Sequence, residues 1–390
     1  MVLTDHFVQV EDNRFVSIRN IGQHETTAVL HWCFEDDYFS QELYGFTDEE
    51  IMHYKTKSEE AYRLFERATE KIIQDKKLNV LGIPPFFHEV IERSWQNRDK
   101  HPFLFGRFDL NGEQSSGQLK VIEFNADTCS TLPESIYWQQ IQLKELPGKS
   151  QFNNLYTDLK KTLTDLRNSI PQDKAFFLAS SFGYHEDIMN CQCILDIAKE
   201  AGFETHYENM EEVTFSPEEG IFYEINEQYI KADVWYKLAP WDWMYNEEFD
   251  LGTIIRDILE QDLCIILNPA HTTVWQNKRF LAYITENFLN SVIASTYLSK
   301  PSGGDFVEKP IFGRLGENVR IYARNEFKTN GDFKHQPKIF QKFYPLLKDA
   351  ESYYYQVGIF YTFQPSALNL RVEDSPIITD NCGFVSHYVV

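Results

Sequence analysis

Hydrophobic positions change their spacing several times along the 390-residue chain, and each change predicts a different element. Over residues 7–34 they come in short bursts: Phe7, Val8 and Val10, then Phe15, Val16 and Ile18, then Val29, Leu30 and Trp32. Bursts of that kind predict short strands. From Thr47 the spacing turns helical, through Ile51, Tyr54, Tyr62, Phe65, Ala68, Ile72 and Ile73, and Thr47 with Glu50 forms a capping box at the start. Pro84-Pro85 opens another helix, with Phe87, Val90, Ile91 and Trp95 on one face.

Two runs then alternate with period two: Gly106-Arg107-Phe108-Asp109-Leu110 and Lys120-Val121-Ile122-Glu123-Phe124-Asn125-Ala126-Asp127. Asn111-Gly112 and Gly117 lie between them, which predicts a hairpin whose connection is longer than a tight two-residue turn. Strand side chains alternate faces, so Arg107 and Asp109 share one face of the first strand, and Glu123 and Asn125 share one face of the second. Thr131 with Glu134, and Pro133 in the first turn, predict a second capping box. The loop holding Thr128 and Ser130 then runs into a helix N-terminus, a position that favours anions.

After a helix over 151–168 the pattern becomes strand–helix–strand. Apolar strands over 175–179, 203–206, 234–236 and 263–267 are separated by helices over 186–201 and 254–259. This order argues for a small parallel α/β unit at about 172–267. No G-x-G-x-x-G opens its first helix, so it need not bind a dinucleotide. Beyond Asn268 come a helix over 277–290 and a strand over 307–312 carrying Lys309. The glycine-bounded turn 313–316 follows, and its N–H groups can approach phosphates. Strands over 338–344, 353–362, 367–372 and 384–390 complete an α+β chain in three parts, 1–171, 172–267 and 268–390. The polar segment 325–336 is expected to be a mobile connection.

Hydrophobic residues make up 43% and aromatics 15%, enough for a sizeable β-rich core in two or three packed units. No apolar run approaches the ~20 residues that span a bilayer, and the first residues lack the basic-then-apolar order of a secretory signal. A cytoplasmic protein without a membrane partner is expected. The net charge of −22 argues against a nucleic-acid partner. It is compatible with a cationic substrate, although solubility alone accounts for such a charge. The six cysteines show no C-x-x-C pair or zinc-like spacing and read as reduced thiols, and Cys129 has no local base to activate it. Trp235, Trp241 and Trp243 read either as core packing or as an aromatic wall for an amine, with Lys237 and Asp242 as their polar neighbours.

The hairpin carries the clearest chemistry. Asp109, Glu123 and Asn125 offer hard oxygen donors of the kind Mg²⁺ takes in small number, leaving its other positions to phosphate and water. Arg107 suits charge that develops on a transferring phosphoryl group. A solvated hairpin face with a chance salt bridge would show the same alternation. Asn and Asp at a strand end, where β-propensity disfavours them, favour the functional reading. Thr128 and Ser130 either hold a substrate carboxylate or acyl phosphate, or merely satisfy the turn.

Arg-Phe-Asp followed by Glu-Phe-Asn-Ala-Asp-Thr resembles the synthetase domain of the glutathionylspermidine synthase family. The similarity continues in Asn268-Pro269 with Asn277-Lys278, in Lys309-Pro310-Ile311-Phe312-Gly313-Arg314-Leu315-Gly316 and in the tail 364–390, in the family's order and over nearly the whole chain. The resemblance implies an ATP-grasp fold with an inserted α/β pre-ATP-grasp domain at 172–267, and ATP-dependent ligation of an acid to an amine. It implies Mg²⁺ on Asp109, Glu123 and Asn125. It implies ATP contacts from Arg107, Asp109, Lys278 and Lys309, with Gly316 in the phosphate loop and Gln341, Lys342, Phe343 and Tyr344 beside the adenine. Arg107 and Arg371 take catalytic, phosphate-facing roles. Thr128 and Glu186 fall where the acid is held, and Asp380 near the amine. The expected partners are a small carboxylate, peptide-like in the family, and an amine, there a polyamine. Bifunctional members carry an N-terminal cysteine amidase domain. This chain enters its synthetase-like region almost at once, so a stand-alone member is expected.

The expected activity is therefore an ATP- and Mg²⁺-dependent carboxylate–amine ligase working through an acyl phosphate. A nucleotide-binding sensor without ligase activity and a small-molecule kinase are the alternatives. Products separate the three: an amide with ADP and phosphate, a stable phosphoester, or binding alone.

Overall fold

The computed structural model describes residues 8–9, 12–34, 38–112 and 118–390. Its longest helix is α1 (Asp48–Gln74). The Thr47 hydroxyl accepts from the Glu50 N–H at 3.2 Å and the Glu50 carboxylate accepts from the Thr47 N–H at 2.8 Å, the expected capping box. Ile51, Tyr54, Ala61, Leu64, Phe65, Ala68 and Ile72 form the buried stripe of α1. Phe65 packs edge-on against Phe108 and Phe124. Those rings belong to β1 (Gly106–Leu110) and β2 (Val121–Asn125), an antiparallel pair in which Arg107 lies opposite Asn125 and Asp109 opposite Glu123. Phe108 stacks on Phe124 with centroids 3.8 Å apart. The apolar face of the hairpin is thus set on α1, and the polar faces of its two strands coincide on the other side.

A four-stranded parallel sheet follows, built from β3 (Phe176–Ser181), α2 (His185–Glu200), β4 (Glu204–Asn209), β5 (Val234–Lys237) and β6 (Ile265–Leu267). Its strand order is β6-β5-β3-β4, all parallel. Between β4 and β5 the chain makes an antiparallel ribbon, Thr214–Ser216, Gly220–Ile225 and Gln228–Lys231, which the sequence reading did not find. The last of these strands has no fully buried residue, so its hydrophobic period is weak.

The chain then returns to the first unit. Asn277 caps α3 (Lys278–Asn287) by accepting from the Arg279 N–H at 2.9 Å. β7 (Phe306–Pro310) and β8 (Lys338–Lys342) pair antiparallel in a five-stranded sheet. β9 (Tyr354–Tyr361) pairs with β1 on one side and with β10 (Pro365–Glu373) on the other, and β11 (Gly383–Val385) follows β10. β1 is therefore an interior strand, buried at all its positions.

Where the structure departs from the sequence reading, tertiary contacts are the reason. Val29 and Leu30 lie in a 3₁₀ helix, Ala28–Phe34, and not in a strand. Phe7, Val10 and Gly117 lie outside the described residues. Thr131 and Glu134 form no capping box. Thr131 adopts φ +69° and turns its hydroxyl to Arg107, and the helix 132–143 has a π segment, Glu134–Trp138, with no side-chain cap. The helix expected from 151 begins at Leu155, because Asn153 is bridged to Ala367 on β10. Segment 325–336 is no bare connection: Glu326–Lys328 pairs with Arg320–Tyr322, and Asp332–His335 forms a 3₁₀ turn. The last apolar run splits at Ser386, leaving β11 in the central sheet and His387–Val389 parallel to Glu42–Phe46.

Candidate functional site

The polar face of β1 and β2 forms one wall of a cleft of about 1000 Å³. Every residue singled out from the sequence as a site residue lines it: Arg107, Asp109, Glu123, Asn125, Thr128, Glu186, Lys278, Lys309, Gly316, Gln341, Lys342, Phe343, Tyr344, Arg371 and Asp380. They converge from the hairpin, the start of α2, the start of α3, β7, β8, β10 and the loop after β10.

On the hairpin wall cations and carboxylates interlock. Arg107 donates from Nε to Asp109 Oδ1 at 2.7 Å and from Nη1 to Thr131 Oγ1 at 2.9 Å. Arg371 Nη2 and Asn125 Nδ2 both donate to Asp109 Oδ2, at 2.7 and 2.9 Å. Gln356, directly opposite Arg371 on β9, also accepts from the Arg371 guanidinium. Lys278 Nζ pairs with Glu123 Oε1 at 2.7 Å and donates to the Gly313 carbonyl at 2.8 Å. Lys309 Nζ donates to Gln341 Oε1 at 3.1 Å. Burial alone pushes the Asp109 carboxyl up, but Arg107 and Arg371 outweigh it and hold the group below the usual carboxylate range. Burial lowers the Lys309 ammonium below the usual lysine range, against the pull of Glu123.

The glycine turn closes one side. Gly316 has φ +66°, and a Cβ there would stand 2.4 Å from the Ile378 carbonyl oxygen. Glycine alone lets this turn rest on the segment that leads to Asp380. Arg314 in the same turn pairs with Asp242.

The cleft also carries an acidic group. Glu186 and Asp187 occupy the first turn of α2, where the helix dipole favours negative charge. Burial raises the Glu186 carboxyl, opposed by a hydrogen bond from Ser130 and by Arg107. Burial, helped by Glu186, pushes Asp187 up to about 7. Among the described residues none of Glu186, Asp187 and Asp380 has an ion-pair partner. Beside them Phe182 meets Trp243 edge-on with centroids 4.8 Å apart, and Tyr184 is 71% exposed.

The tryptophan cluster divides: Trp235 and Trp241 are core, and only Trp243 reaches the cleft. Lys237 is buried over the Trp241 ring and paired with Asp127 at 2.6 Å, outside the cleft lining. Burial raises the Cys129 thiol to about 12, so it is not a poised nucleophile. Sequence reasoning missed Gln356, Asp187, Thr131 and Arg314. Asp187 adjoins Glu186 and was within reach. Gln356 is joined to the site by the non-local pairing of β1, β9 and β10, and Thr131 by its hydroxyl, which Arg107 and Asn369 reach from β1 and β10.

No group of three or more His, Cys, Asp or Glu among the described residues is gathered as a metal site. The donor chemistry still suits a hard divalent cation, because two opposed carboxylates and one amide supply few oxygens and leave the rest to phosphate and water. Among the described residues no helix is long and apolar enough to cross a membrane.

Four likenesses to known proteins bear on this geometry. A Haemophilus influenzae protein with a provisional acid–amine ligase name is 27% identical over 319 residues, 77% of this chain and 78% of its own length. Trypanothione synthetase of Crithidia fasciculata is 22% identical over 320 residues, 75% of this chain, which spans only 48% of that enzyme. The solved structure of a glutathione synthetase-like effector from Globodera pallida superposes with a TM-score of 0.54 at 11% identity, over 96% of this chain and 100% of that one, a likeness of fold alone. The family model described as glutathionylspermidine synthase preATP-grasp matches residues 18–390. With the fold, the motifs and this match in agreement, the chain belongs to the glutathionylspermidine synthase family of C–N bond-forming ligases.

Proposed function

We propose that the protein is an ATP- and Mg²⁺-dependent carboxylate–amine ligase that activates its acid as an acyl phosphate. The observation that carries this reading is the gathering of two kinds of charge in one cleft. Arg107, Arg371, Lys278 and Lys309 gather around two opposed carboxylates, while Glu186, Asp187 and Asp380, which have no ion-pair partner among the described residues, line the same cleft. The first group suits phosphates and the second suits a cationic amine.

A carboxylate is a poor acyl donor because its leaving group would be an oxide. The acid's oxygen displaces ADP from the terminal phosphorus, and the amine nitrogen then displaces phosphate from the acyl carbon, losing a proton as the amide forms. Catalysis of such transfers is chiefly positioning and charge neutralisation. Lys278 and Lys309 hold phosphate oxygens, and Arg107 and Arg371 face the transferring group. Asp109, Glu123 and Asn125 would hold Mg²⁺, which supplies further charge neutralisation when bound. Thr128, at the entry to the helix 132–143, takes the acid. Gln341, Lys342, Phe343 and Tyr344 form the adenine edge, with β7 and β8 as its floor.

The amine side points to an alkyl ammonium chain of polyamine type. Phe182, Tyr184 and Trp243 offer aromatic faces, and Glu186, Asp187 and Asp380 offer charge. The test is phosphate release from ATP across a matrix of small carboxylates and amines, with product analysis. Amide, ADP and phosphate in equal amounts support the ligase. A stable phosphoester supports a kinase, and binding without turnover supports a sensor.

A further inference from the structure

We propose that Thr131 is a positioning residue that aims Arg107 at the transferring phosphoryl group. The proposal rests on the reading of Arg107 given above. Thr131 is buried and has φ +69°, a conformation that a β-branched residue rarely adopts. Strain of this kind persists only where surrounding structure enforces it, and it gathers at functional sites.

The enforcement is visible in the hydroxyl. Thr131 Oγ1 accepts from Arg107 Nη1 at 2.9 Å and from Asn369 Nδ2 at 3.1 Å, and it donates to the Ser130 carbonyl at 2.6 Å. One hydroxyl offers one donor and two acceptor sites, so its capacity is full. Arg107 itself bears on Asp109 through Nε and Nη2, at 2.7 and 3.4 Å. Asp109 therefore fixes one edge of the guanidinium and Thr131 fixes another.

The floor beneath Arg107 is equally specific. Gly358 on β9 lies opposite both Asp109 and Asn369. A Cβ there would stand 2.7 Å from Arg107 Cδ and 2.1 Å from Asn369 Oδ1. The missing side chain makes room for the arginine stem and for the amide that holds Thr131. Three strands and one strained turn thus converge on the direction of a single guanidinium. Misplacement of a reacting group by about 1 Å costs on the order of 100-fold in rate, which is the size of effect a positioning residue controls.

The test is a double-mutant cycle on the purified full chain, using Arg107→Met, Thr131→Val and both, with kcat and the KM for ATP measured by phosphate release. Thr131→Val keeps the shape and removes the hydroxyl. The expected result is a kcat lower by roughly 100-fold with the KM for ATP within about threefold, and a double variant no slower than Arg107→Met alone. Thr131→Ser, which keeps the hydroxyl, restores most of kcat. Thr131→Gly adopts positive φ without strain, which offsets part of the cost of the lost hydroxyl contacts, so it should still fold, as a cooperative thermal transition checks, and still lose kcat. That variant separates loss of the hydroxyl from loss of the fold. Wild-type kcat in Thr131→Val or Thr131→Gly, beside a slow Arg107→Met, overturns the proposal and leaves the reading of Arg107 standing. Losses that multiply in the double variant also overturn it, because Thr131 then acts independently. Wild-type turnover in Arg107→Met removes the reading of Arg107, and the proposal with it.

Discussion

Two close lysine–carboxylate pairs hold the hairpin's second strand and its end, and they have opposite uses. Lys237 meets Asp127 at 2.6 Å and Lys278 meets Glu123 at 2.7 Å, so distance and chemistry do not tell them apart. What surrounds them does. Asp127 also accepts from the Trp241 N–H at 2.7 Å, and Lys237 donates to the Ala239 carbonyl, so the first pair is complete and sealed between the hairpin's end and β5. In the second pair the Glu123 side chain is 20% exposed and both residues line the cleft. A sealed pair holds two units in register. A pair that borders a cleft can exchange partners when a ligand brings its own charges.

The largest expected effects fall on the cleft pair's wall. Asp109→Ala or Glu123→Ala is expected to lower ATP turnover by on the order of 1000-fold; the partly exposed Glu123 can be lost with a thermal midpoint close to that of the parent, whereas Asp109→Ala also leaves buried Arg107 without its carboxylate and should cost stability. Turnover at the parent rate in either variant breaks the comparison. Lys237→Met is expected to behave in the reverse sense. It leaves Asp127 buried and uncompensated, so chemical denaturation should show a loss of about 3–5 kcal/mol. A Lys237→Met protein that keeps its stability but loses turnover would move this pair into the site.

Next in size is nucleotide affinity. Lys309→Met should weaken ATP binding roughly 10- to 100-fold in calorimetric titration while sparing the ligand-free midpoint, a charge-assisted contact being worth ~1.5–3 kcal/mol. A large loss of ligand-free stability instead would make Lys309 a structural strand lysine.

The smallest effect concerns pH. Asp187 is held up at about 7, by burial and by Glu186, so below that pH it carries a proton that an incoming ammonium group must displace. The KM for the amine should therefore fall as pH rises, by up to about tenfold per unit below pH 7, and level off above it. Asp187→Asn should give a higher KM without that limb. An unchanged limb would assign the titration to another group.

The same contrast explains how much was legible in the sequence. A period of two places Arg107 with Asp109 and Glu123 with Asn125 without any knowledge of neighbours, and the hairpin forms with those residues opposed. The parallel sheet of β3 to β6 followed from short apolar strands separated by helical runs. The Thr131–Glu134 motif misled because it satisfies a local rule that a distant residue overrides: Arg107 takes the hydroxyl that the helix would have used. Gln356, Gly358 and Asn369 were invisible for a related reason. Their roles exist only once β9 has paired with β1 on one side and β10 on the other, more than 200 residues apart in sequence from Arg107. The two lysine pairs are the same lesson in miniature, since sequence shows the charges but not which of them the cleft reaches.

The central claim is that the acid is activated by phosphorylation before the amine attacks. Once the substrate matrix identifies the acid, its carboxylate is labelled with ¹⁸O and the phosphate released during amide synthesis is analysed by mass spectrometry. Transfer through an acyl phosphate predicts one labelled oxygen in each released phosphate. Amide formation with unlabelled phosphate would contradict it and point to activation by another route, such as adenylation.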